Sequence, residues 1–426
     1  MKNILIISYY FPPMSEIGGI RLYGLAKYLQ EFGWTPIVLT TKLPGKLDSS
    51  FKIIQVPSID VVALLKKCFK LNPDKSLNAQ FNLHPEKNKS SIVDLFSFIP
   101  NEIITYPDNY IGWSNFAIAA GSEIIQSENI DAILSSSLPI TTHLIAKDLS
   151  EKYHIPWIAD FRDLWTQNHY YHHSQIRKFF ETHLEVKTIK RVSAITTVSE
   201  PLAQKLSELH KNKMIYSIPN GFDPDQINQN TRLSNKINIS YTGHLYKGKR
   251  DPEPLFRVIK ILLDEKMLDP EFIQLNFYGR NENWLKHDVI KYNLDDIISI
   301  HGPISREESI QKQRESQILL LLTWNDPSER GVYTGKLFDY LAARRPILSL
   351  GYTDGGVVKE LLNQTKAGVH CATEEELRHY LIQAYREYKE LGAVQYHGIE
   401  KEIMKYSHVE MARKFAEVLE MVVREK

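Results

Sequence analysis

The sequence predicts an α/β protein built from two doubly wound parallel sheets. Short apolar runs of strand length alternate with helical patterns, and a continuous apolar run such as Ile318 to Leu322 is typical of a parallel strand buried on both faces. The alternation stops in a polar segment, Asp225 to Asn235, and restarts after it. A length of 426 residues suits two domains with separate cores.

Composition argues against several classes of protein. Hydrophobic residues at 43% and charged residues at 24% are typical of a globular protein, and a formal net charge of +1 gives no argument for nucleic-acid binding. Cys68 and Cys371 lie far apart without metal-ligand spacing, so we expect neither a disulfide nor a zinc site. No run of about 18 apolar residues predicts a membrane-spanning helix.

The first βα unit starts with the apolar strand Ile4 to Ser8. We expect a strand here and no signal peptide, because no small-residue cleavage site follows. Gly18 and Gly19 precede the next helical pattern, and a second strand starts at Pro36. Open parallel sheets bind ligands at the carboxyl ends of their strands, so the glycine pair is a candidate ligand loop, with a structural turn as the alternative.

A basic amphipathic helix is predicted over residues 61–71, where apolar residues at helical spacing alternate with lysines. Such a helix can contact anionic lipid, and the alternative is a helix packed on its own domain with solvated lysines. We expect a cytoplasmic protein, and contact with the inner face of the cytoplasmic membrane is one interpretation of this segment.

A charged loop follows the strand that ends at Ala159. Asp160 and Asp163 flank Arg162 there. A carboxylate at this place can orient or deprotonate an acceptor hydroxyl, and Arg162 can hold a phosphate; the alternative is an internal ion-pair cluster. His143 lies at a loop-to-helix junction, as either a base or a capping residue.

Glycine-containing and basic loops follow the strands of the second half. Gly243, Lys249 and Arg250 lie between the strand that ends at Thr242 and the next helix. Cations here can neutralise a diphosphate as it becomes a leaving group, and a solvated basic turn is the alternative. Gly279 and Arg280 follow the next strand.

The segment from Ile318 to Leu350 predicts a strand, a polar loop, a helix and a strand. Gly331 and Gly335 allow close backbone approach at the helix N-terminus, where Lys336 adds a positive charge. Asp339 lies on the same helix face. A lysine can bind phosphate and a carboxylate can accept hydrogen bonds from sugar hydroxyls, so the pair suits a nucleotide or phosphorylated sugar; the alternative is a surface ion pair.

This segment resembles the donor-site signature of the retaining GT-B glycosyltransferases. In that signature a Lys precedes a Glu, a Tyr and a Leu on a helix that ends before a Pro-led strand; residues 335–346, GKLFDYLAARRP, follow this order with Asp339 at the acidic position. Residues 198–200, VSE, and 218–223, IPNGFD, are similar to the segments that end the N-terminal domain of these enzymes.

Two further segments resemble bacterial cell-surface polysaccharide glycosyltransferases of the colanic-acid and O-antigen group, which are family 4-like. These are residues 135–139, SSSLP, and 157–165, WIADFRDLW. The resemblance implies two Rossmann-like domains facing across a cleft. It places the acceptor-side domain at 1–222, a linker at 223–236, the nucleotide-sugar domain at 237–402 and a returning helix at 403–426.

The resemblance also implies a donor site and an acceptor side. Gly331 stands where the family has the first acidic residue of a pair, and Glu329 is the nearest carboxylate. The implied donor-binding residues are Gly18, Gly19, Gly243, Lys249, Arg250, Gly279, Arg280, Glu329, Thr334, Gly335, Lys336, Leu337 and Asp339. The implied acceptor-side residues are His143, Asp160, Arg162 and Asp163. The candidate catalytic residues are Asp160, Asp163, Arg250 and Lys336.

The implied reaction moves a sugar from a nucleotide diphosphate sugar to a saccharide or lipid-linked hydroxyl, with retention, in surface polysaccharide synthesis. We expect no cofactor and no metal, because no DxD motif lies in a suitable loop. A nucleotide-sugar 2-epimerase of the same fold is one alternative. A catalytically silent partner that binds a nucleotide or a protein is another, suggested by Gly331.

Overall fold

The computed structural model describes residues 1–14, 17–45, 50–68, 105–171, 173–227, 231–324, 326–351 and 354–424. The chain divides into two compact units. Unit 1 consists of Met1–Ile218 and Ala412–Lys426, and unit 2 consists of Pro219–Met411. The described part of the segment expected as a linker, 223–236, therefore lies in unit 2, and the last helix is divided between the units.

Unit 1 contains a seven-stranded sheet in the order β3-β2-β1-β4-β5-β6-β7, with every pairing parallel. Because β1 and β4 are neighbours although two strands separate them in sequence, the strand order reverses between them, and ligands bind open sheets at such a place. The strands are β1 (Lys2–Ile7), β2 (Trp34–Thr41), β3 (Lys52–Val56), β4 (Ile130–Ser137), β5 (Trp157–Phe161), β6 (Ala194–Thr197) and β7 (Ile215–Ser217).

The helices of the first 218 residues include one over most of the segment predicted to contact lipid. Its positions 69–71 lie outside the described residues. The helices are α1 (Ile17–Leu29), α2 (Val61–Cys68), α3 (Ser114–Ser127), α4 (Thr141–Tyr153), α5 (Gln175–Ile189) and α6 (Glu200–Leu209).

Unit 2 contains a six-stranded parallel sheet in the order β10-β9-β8-β11-β12-β13, so its strand order reverses between β8 and β11. The strands are β8 (Ile237–Thr242), β9 (Ile273–Tyr278), β10 (Ile298–Gly302), β11 (Ile318–Leu322), β12 (Ile347–Leu350) and β13 (Gly368–Cys371). The remaining helices are α7 (Glu253–Asp264), α8 (Asn283–Lys291), α9 (Arg306–Glu315), α10 (Gly335–Ala343), α11 (Gly356–Thr365), α12 (Glu374–Leu391), α13 (Glu400–Met404) and α14 (His408–Arg424).

Strand β11 shows why continuous apolar runs form the centres of these sheets. All five of its side chains are buried. Ile318, Leu320 and Leu322 pack into one core, whereas Leu319 and Leu321 pack into the core on the opposite face. Burial of each leucine stabilises the fold by about 1.5–3 kcal/mol. The prediction of an α/β fold with two doubly wound parallel sheets is confirmed.

The described helices also bear on membrane insertion. Within the described ranges, no helix is both long enough and apolar enough to cross a bilayer.

Candidate functional site

The loops after β8 and β11 meet at one edge of the unit 2 sheet. These strands are hydrogen-bonded neighbours, with Ile239 paired to Ile318 and Ser240 to Leu319. Their carboxyl ends are adjacent, so the loop that starts at Gly243 lies beside the loop that leads into α10. The strand order reverses here, and the crevice at such a reversal is where open sheets bind nucleotides.

Helix α10 is fixed at this edge by a buried tyrosine. The Tyr340 hydroxyl donates to the carbonyl of Leu320 in β11 at 3.2 Å and accepts from the backbone N–H of Thr242 in β8 at 3.3 Å. Leu337 and Phe338 are buried in the core beneath the sheet. The apolar side of α10 therefore holds its N-terminus at the reversal of strand order.

Lys336, the second residue of α10, has its amine buried without a hydrogen-bond partner among the described residues. The amine lies 3.9 Å from the centroid of the Tyr241 ring. A Cβ on Gly243 would lie 2.8 Å from Nζ, and the φ of Gly243 is +121°, so glycine is required beside the lysine. Burial and the charge of Arg250 hold the pKa of Lys336 well below its ordinary value, and Asp339 opposes that shift. An unpartnered buried amine of this kind is suited to an anion.

The N-terminus of α10 adds further donors. Thr334 is the N-cap, but its side chain makes no capping hydrogen bond. Its Oγ1 is buried and, among the described residues, has no partner. A helix N-terminus carries a positive partial charge, and Gly335 at its first position allows close approach. The hydroxyl, the helix end and the Lys336 amine together form a candidate anion site.

The basic loop after β8 packs against the loop after β11. Lys249 places its amine 4.3 Å from the centroid of the Trp324 ring, and the Arg250 guanidinium carbon lies 5.7 Å from the same centroid. The backbone N–H of Tyr246 donates to the carbonyl of Arg250 at 3.2 Å, which closes the loop. The Arg250 Nε is buried without a partner in the described part of the chain. Arg250 is thus a second cation near the candidate anion site.

Asp339 does not pair with Lys336. Its Oδ1 accepts from Arg306 at 2.9 Å and its Oδ2 accepts from the same guanidinium at 3.3 Å. Arg306 is the first residue of α9. The alternative of a surface Lys336–Asp339 ion pair therefore does not hold. A carboxylate offers about four acceptor positions, so Asp339 can still accept hydrogen bonds from sugar hydroxyls.

Some of the other predicted donor-binding residues of unit 2 lie at this site, and others do not. A Cβ on Gly279 would lie 2.2 Å from the carbonyl oxygen of Gly243, so this glycine lets the β9 loop reach the site. Glu329 and Thr334 line one cavity, together with Trp324. Arg280, in contrast, is 78% exposed and lies 4.0 Å from Glu282, away from these contacts. The Leu337 side chain faces the core, so the structure gives it a packing role.

In unit 1, the structure brings the Gly18 loop and Arg162 together. A Cβ on Gly18 would lie 2.0 Å from Arg162 Nη1, so the arginine occupies the space above the glycine. Arg162 donates from Nε to the carbonyl of Ser137 at 3.1 Å and lies 3.4 Å from the Asp163 carboxylate. A Cβ on Gly19 would lie 3.1 Å from the backbone of Phe11. The glycine pair thus permits close packing at the β1 and β4 strand ends.

Asp160 is an internal ion-pair residue, which corrects its assignment as an acceptor-side catalytic group. Its carboxylate is fully buried and accepts from Arg21 at 3.0 and 3.1 Å. Ser136 and Thr196 each donate to it at 2.8 Å. Burial opposes ionisation, but the charge and hydrogen bonds of Arg21, with those of the two hydroxyls, hold the pKa of Asp160 below its ordinary value. A carboxylate that is buried and paired in this way is not exposed to a substrate.

His143 is likewise a core residue and not an acceptor-side base. Its Nδ1 lies 2.7 Å from Ser135 Oγ, which accepts from Trp157 Nε1 at 2.8 Å. Burial lowers the pKa of His143 to about 3, although Asp160 opposes the shift, so the ring is neutral at physiological pH. Asp163 differs from both, because its side chain is 46% exposed. Of the two predicted carboxylates, Asp163 is the accessible one.

Three residues at these sites were not predicted from the sequence. Arg21 follows the Gly18-Gly19 pair, and only its pairing with a strand far along the chain reveals its role. Arg306 follows Ser305, a helix N-cap signal that places it at the start of α9. Trp324 lies two residues after the end of β11, where an aromatic residue in a ligand loop could have been noted.

Comparison with known proteins agrees with this architecture. Residues 18–226 match the sequence profile described as Glycosyltransferase Family 4. No curated protein matches the sequence significantly.

Several solved structures share the fold along the whole chain. A glycosyltransferase from Rickettsia africae ESF-5 is 18% identical, with a TM-score of 0.59, and 100% of this chain covers 99% of that one. HepE from Anabaena, described in complex with UDP and glucose, is 11% identical at a TM-score of 0.60, with 99% and 100% covered. An enzyme described as a putative UDP-N-acetylglucosamine 2-epimerase, from Listeria monocytogenes, is 12% identical at a TM-score of 0.53, with 100% and 98% covered.

These similarities establish the fold alone, because sequence identities this low do not establish a shared function. The profile match spans most of unit 1 and supports glycosyl transfer. Residues 18–226 thus match Glycosyltransferase Family 4, and the chain has the α/β GT-B fold of glycosyltransferases with two Rossmann-like domains.

Proposed function

We propose that the protein transfers a sugar from a nucleotide diphosphate sugar to a hydroxyl of a saccharide or lipid-linked acceptor, with retention, in the synthesis of a bacterial surface polysaccharide such as capsule, O-antigen or exopolysaccharide. The observation that carries the proposal is the buried, unpartnered Lys336 amine at the N-terminus of α10. The family match supports glycosyl transfer. The UDP named for HepE makes UDP-sugars the first donors to test.

The proposed chemistry depends on positive charge around the leaving group. The bond between the anomeric carbon and the diphosphate oxygen breaks, and the acceptor oxygen bonds to that carbon on the same face, which retains the configuration. Negative charge grows on the departing diphosphate, which takes up the proton of the acceptor hydroxyl. Lys336, Arg250 and the α10 N-terminus stabilise this charge. We assign the task to these groups without a bound metal. Removal of one such donor typically lowers kcat by about 10²–10³-fold.

The other groups have proposed supporting roles. Asp339, positioned by Arg306, accepts hydrogen bonds from the donor ribose. Lys249 contributes positive charge at the entrance of the same edge, beside Trp324. Asp163 orients the acceptor hydroxyl, because it is the accessible carboxylate at the unit 1 strand ends.

Nucleotide release from a panel of UDP-, GDP-, ADP- and CMP-sugars tests the proposal, with and without a crude lipid-linked saccharide extract. We expect release from one donor class to depend on the extract, and the Lys336→Ala variant to lose it. Release by wild type that persists in the Lys336→Ala variant would contradict the assigned site.

The same assay separates the two alternatives. The structural similarity to the enzyme from Listeria makes a 2-epimerase one alternative. An epimerase would release nucleotide or change the sugar without the extract. Gly331 at the first acidic position favours a silent partner, which would bind a nucleotide without releasing one under any condition.

A further inference from the structure

Helix α5 exposes an apolar face. Ile176 is 73% exposed, Phe179 60%, Phe180 58% and Val186 43%. At about 100° per residue these four side chains fall within one third of the helix circumference. Surface helices normally turn such a stripe toward the core, whereas α5 turns this one outward. Large exposed apolar patches on a soluble fold mark contact with another surface.

The polar residues on the inward side of α5 explain why its apolar stripe faces outward. Glu181 and Glu185, which are the two acidic residues of the helix, are buried there. Glu181 accepts from Trp165 Nε1 at 2.9 Å, and its Oε1 pairs with Arg177. Glu185 accepts from the backbone and hydroxyl of Thr166 at 3.0 and 2.6 Å. These bonds fix the polar side toward the interior, so the apolar side faces outward.

The charge on the outward face is entirely positive along α5. Lys187, and Lys190 just beyond the helix, project from the same third of the circumference as the phenylalanines, and both are exposed. Because both carboxylates of the helix are buried, no acidic side chain of α5 offsets these lysines. A second copy of this face would bring like charges together, which disfavours self-association. An anionic lipid surface would neutralise them and accept the aromatic rings.

We propose that the outward face of α5 docks onto an anionic bilayer. Ile176, Phe179 and Phe180 insert at the boundary between headgroups and acyl chains, and Lys187 and Lys190 lie at the lipid phosphates. Membrane contact is thus assigned to α5 in place of residues 61–71. It does not depend on the transferase activity.

Co-sedimentation of the full chain with vesicles tests this assignment. The vesicles contain phosphatidylcholine alone or phosphatidylcholine mixed with phosphatidylglycerol. We expect binding to the mixed vesicles that weakens with salt, because exposed charges are screened. The double variant F179Q/F180Q should lose more than about tenfold in partitioning. The double variant K187Q/K190Q should lose about fivefold for each lysine on the anionic vesicles.

Two matched variants make the result decisive. Ile290→Gln removes a 60% exposed apolar side chain on α8 and should leave vesicle binding unchanged. Leu64→Gln probes α2, whose Leu64 is 50% exposed, and should also leave it unchanged. Loss of binding on changing Leu64 but not the phenylalanines would overturn the assignment. So would absence of vesicle binding, with or without a dimer that the phenylalanine changes dissociate; sedimentation without lipid detects such a dimer.

Discussion

Replacement of Lys336 by methionine should stabilise the protein and weaken its binding of nucleotide. Methionine keeps the length of the side chain and removes its charge. In the free protein the amine is buried without a partner among the described residues. An unsatisfied buried polar group costs about 1–3 kcal/mol, so the free energy of unfolding should rise by about that amount. For a unit of about this size, each kcal/mol raises Tm by about 2–4 °C.

The same substitution acts in the opposite direction on the complex. If Lys336 binds the donor diphosphate, methionine removes a charge-assisted hydrogen bond from a buried site. Truncation of one partner in such a pair costs about 2–5 kcal/mol, which weakens the Kd for UDP by about 30-fold to several thousand-fold. The opposite signs separate a binding lysine from a structural lysine, since loss of a structural lysine would lower stability.

Calorimetry of UDP binding and thermal unfolding of the same samples provide both quantities. Lys260→Met is the control, because that lysine is on the surface of α7 in the same unit and pairs with Asp264. It should change neither the Kd for UDP nor, by more than about 0.5 kcal/mol, the stability. A Lys336→Met protein that unfolds at lower temperature and binds UDP as tightly as wild type would show that Lys336 has a structural role and does not bind the diphosphate.

Three other predictions follow from these sites. A bound diphosphate should raise the lowered pKa of Lys336, and the accompanying proton uptake can be measured in buffers of different ionisation enthalpy. The affinity for UDP should be constant below the pKa that Lys336 has in the free protein, and it should fall by up to about tenfold per pH unit above that pKa. An affinity that does not change with pH in that range would contradict the role of this amine. Asp160→Asn should lower the free energy of unfolding, measured by chemical denaturation, by about 3–5 kcal/mol, because it leaves the charge of the buried Arg21 uncompensated. Asp163→Asn should keep wild-type stability and lower turnover by about 10²-fold or more. Equal stabilities of the two variants would contradict the burial of Asp160. Asp339→Asn should weaken UDP binding without altering acceptor KM, and the reverse pattern would move Asp339 out of the donor site.

The features that the sequence predicted are those determined by neighbours along the chain. A five-residue apolar run ending before a polar loop could only be satisfied with both faces covered, and Ile318–Leu322 is covered in that way. Gly335 and Lys336 were expected at a helix N-terminus from the pattern that follows them, and α10 begins there. The succession of strands and helices along the chain therefore predicted the fold and the positions of the loops after β8 and β11.

The features that the sequence did not predict depend on partners from distant segments. Asp160 looked like an available carboxylate, but Arg21 reaches it from α1, 139 positions earlier. An ion pair between Lys336 and Asp339 was the alternative interpretation of α10, but Arg306 pairs with Asp339 from the start of α9. The outward orientation of the apolar stripe of α5 likewise depends on another segment, because Trp165 and Thr166 hold Glu181 and Glu185 on the inward side of the helix.

A crystal structure of the protein with UDP would show whether Lys336 binds the diphosphate. We expect a phosphate oxygen at about 2.7–2.9 Å from Lys336 Nζ, with the diphosphate at the N-terminus of α10 and Arg250 turned toward it. UDP bound elsewhere, with the Lys336 amine still enclosed against Tyr241, would contradict this expectation.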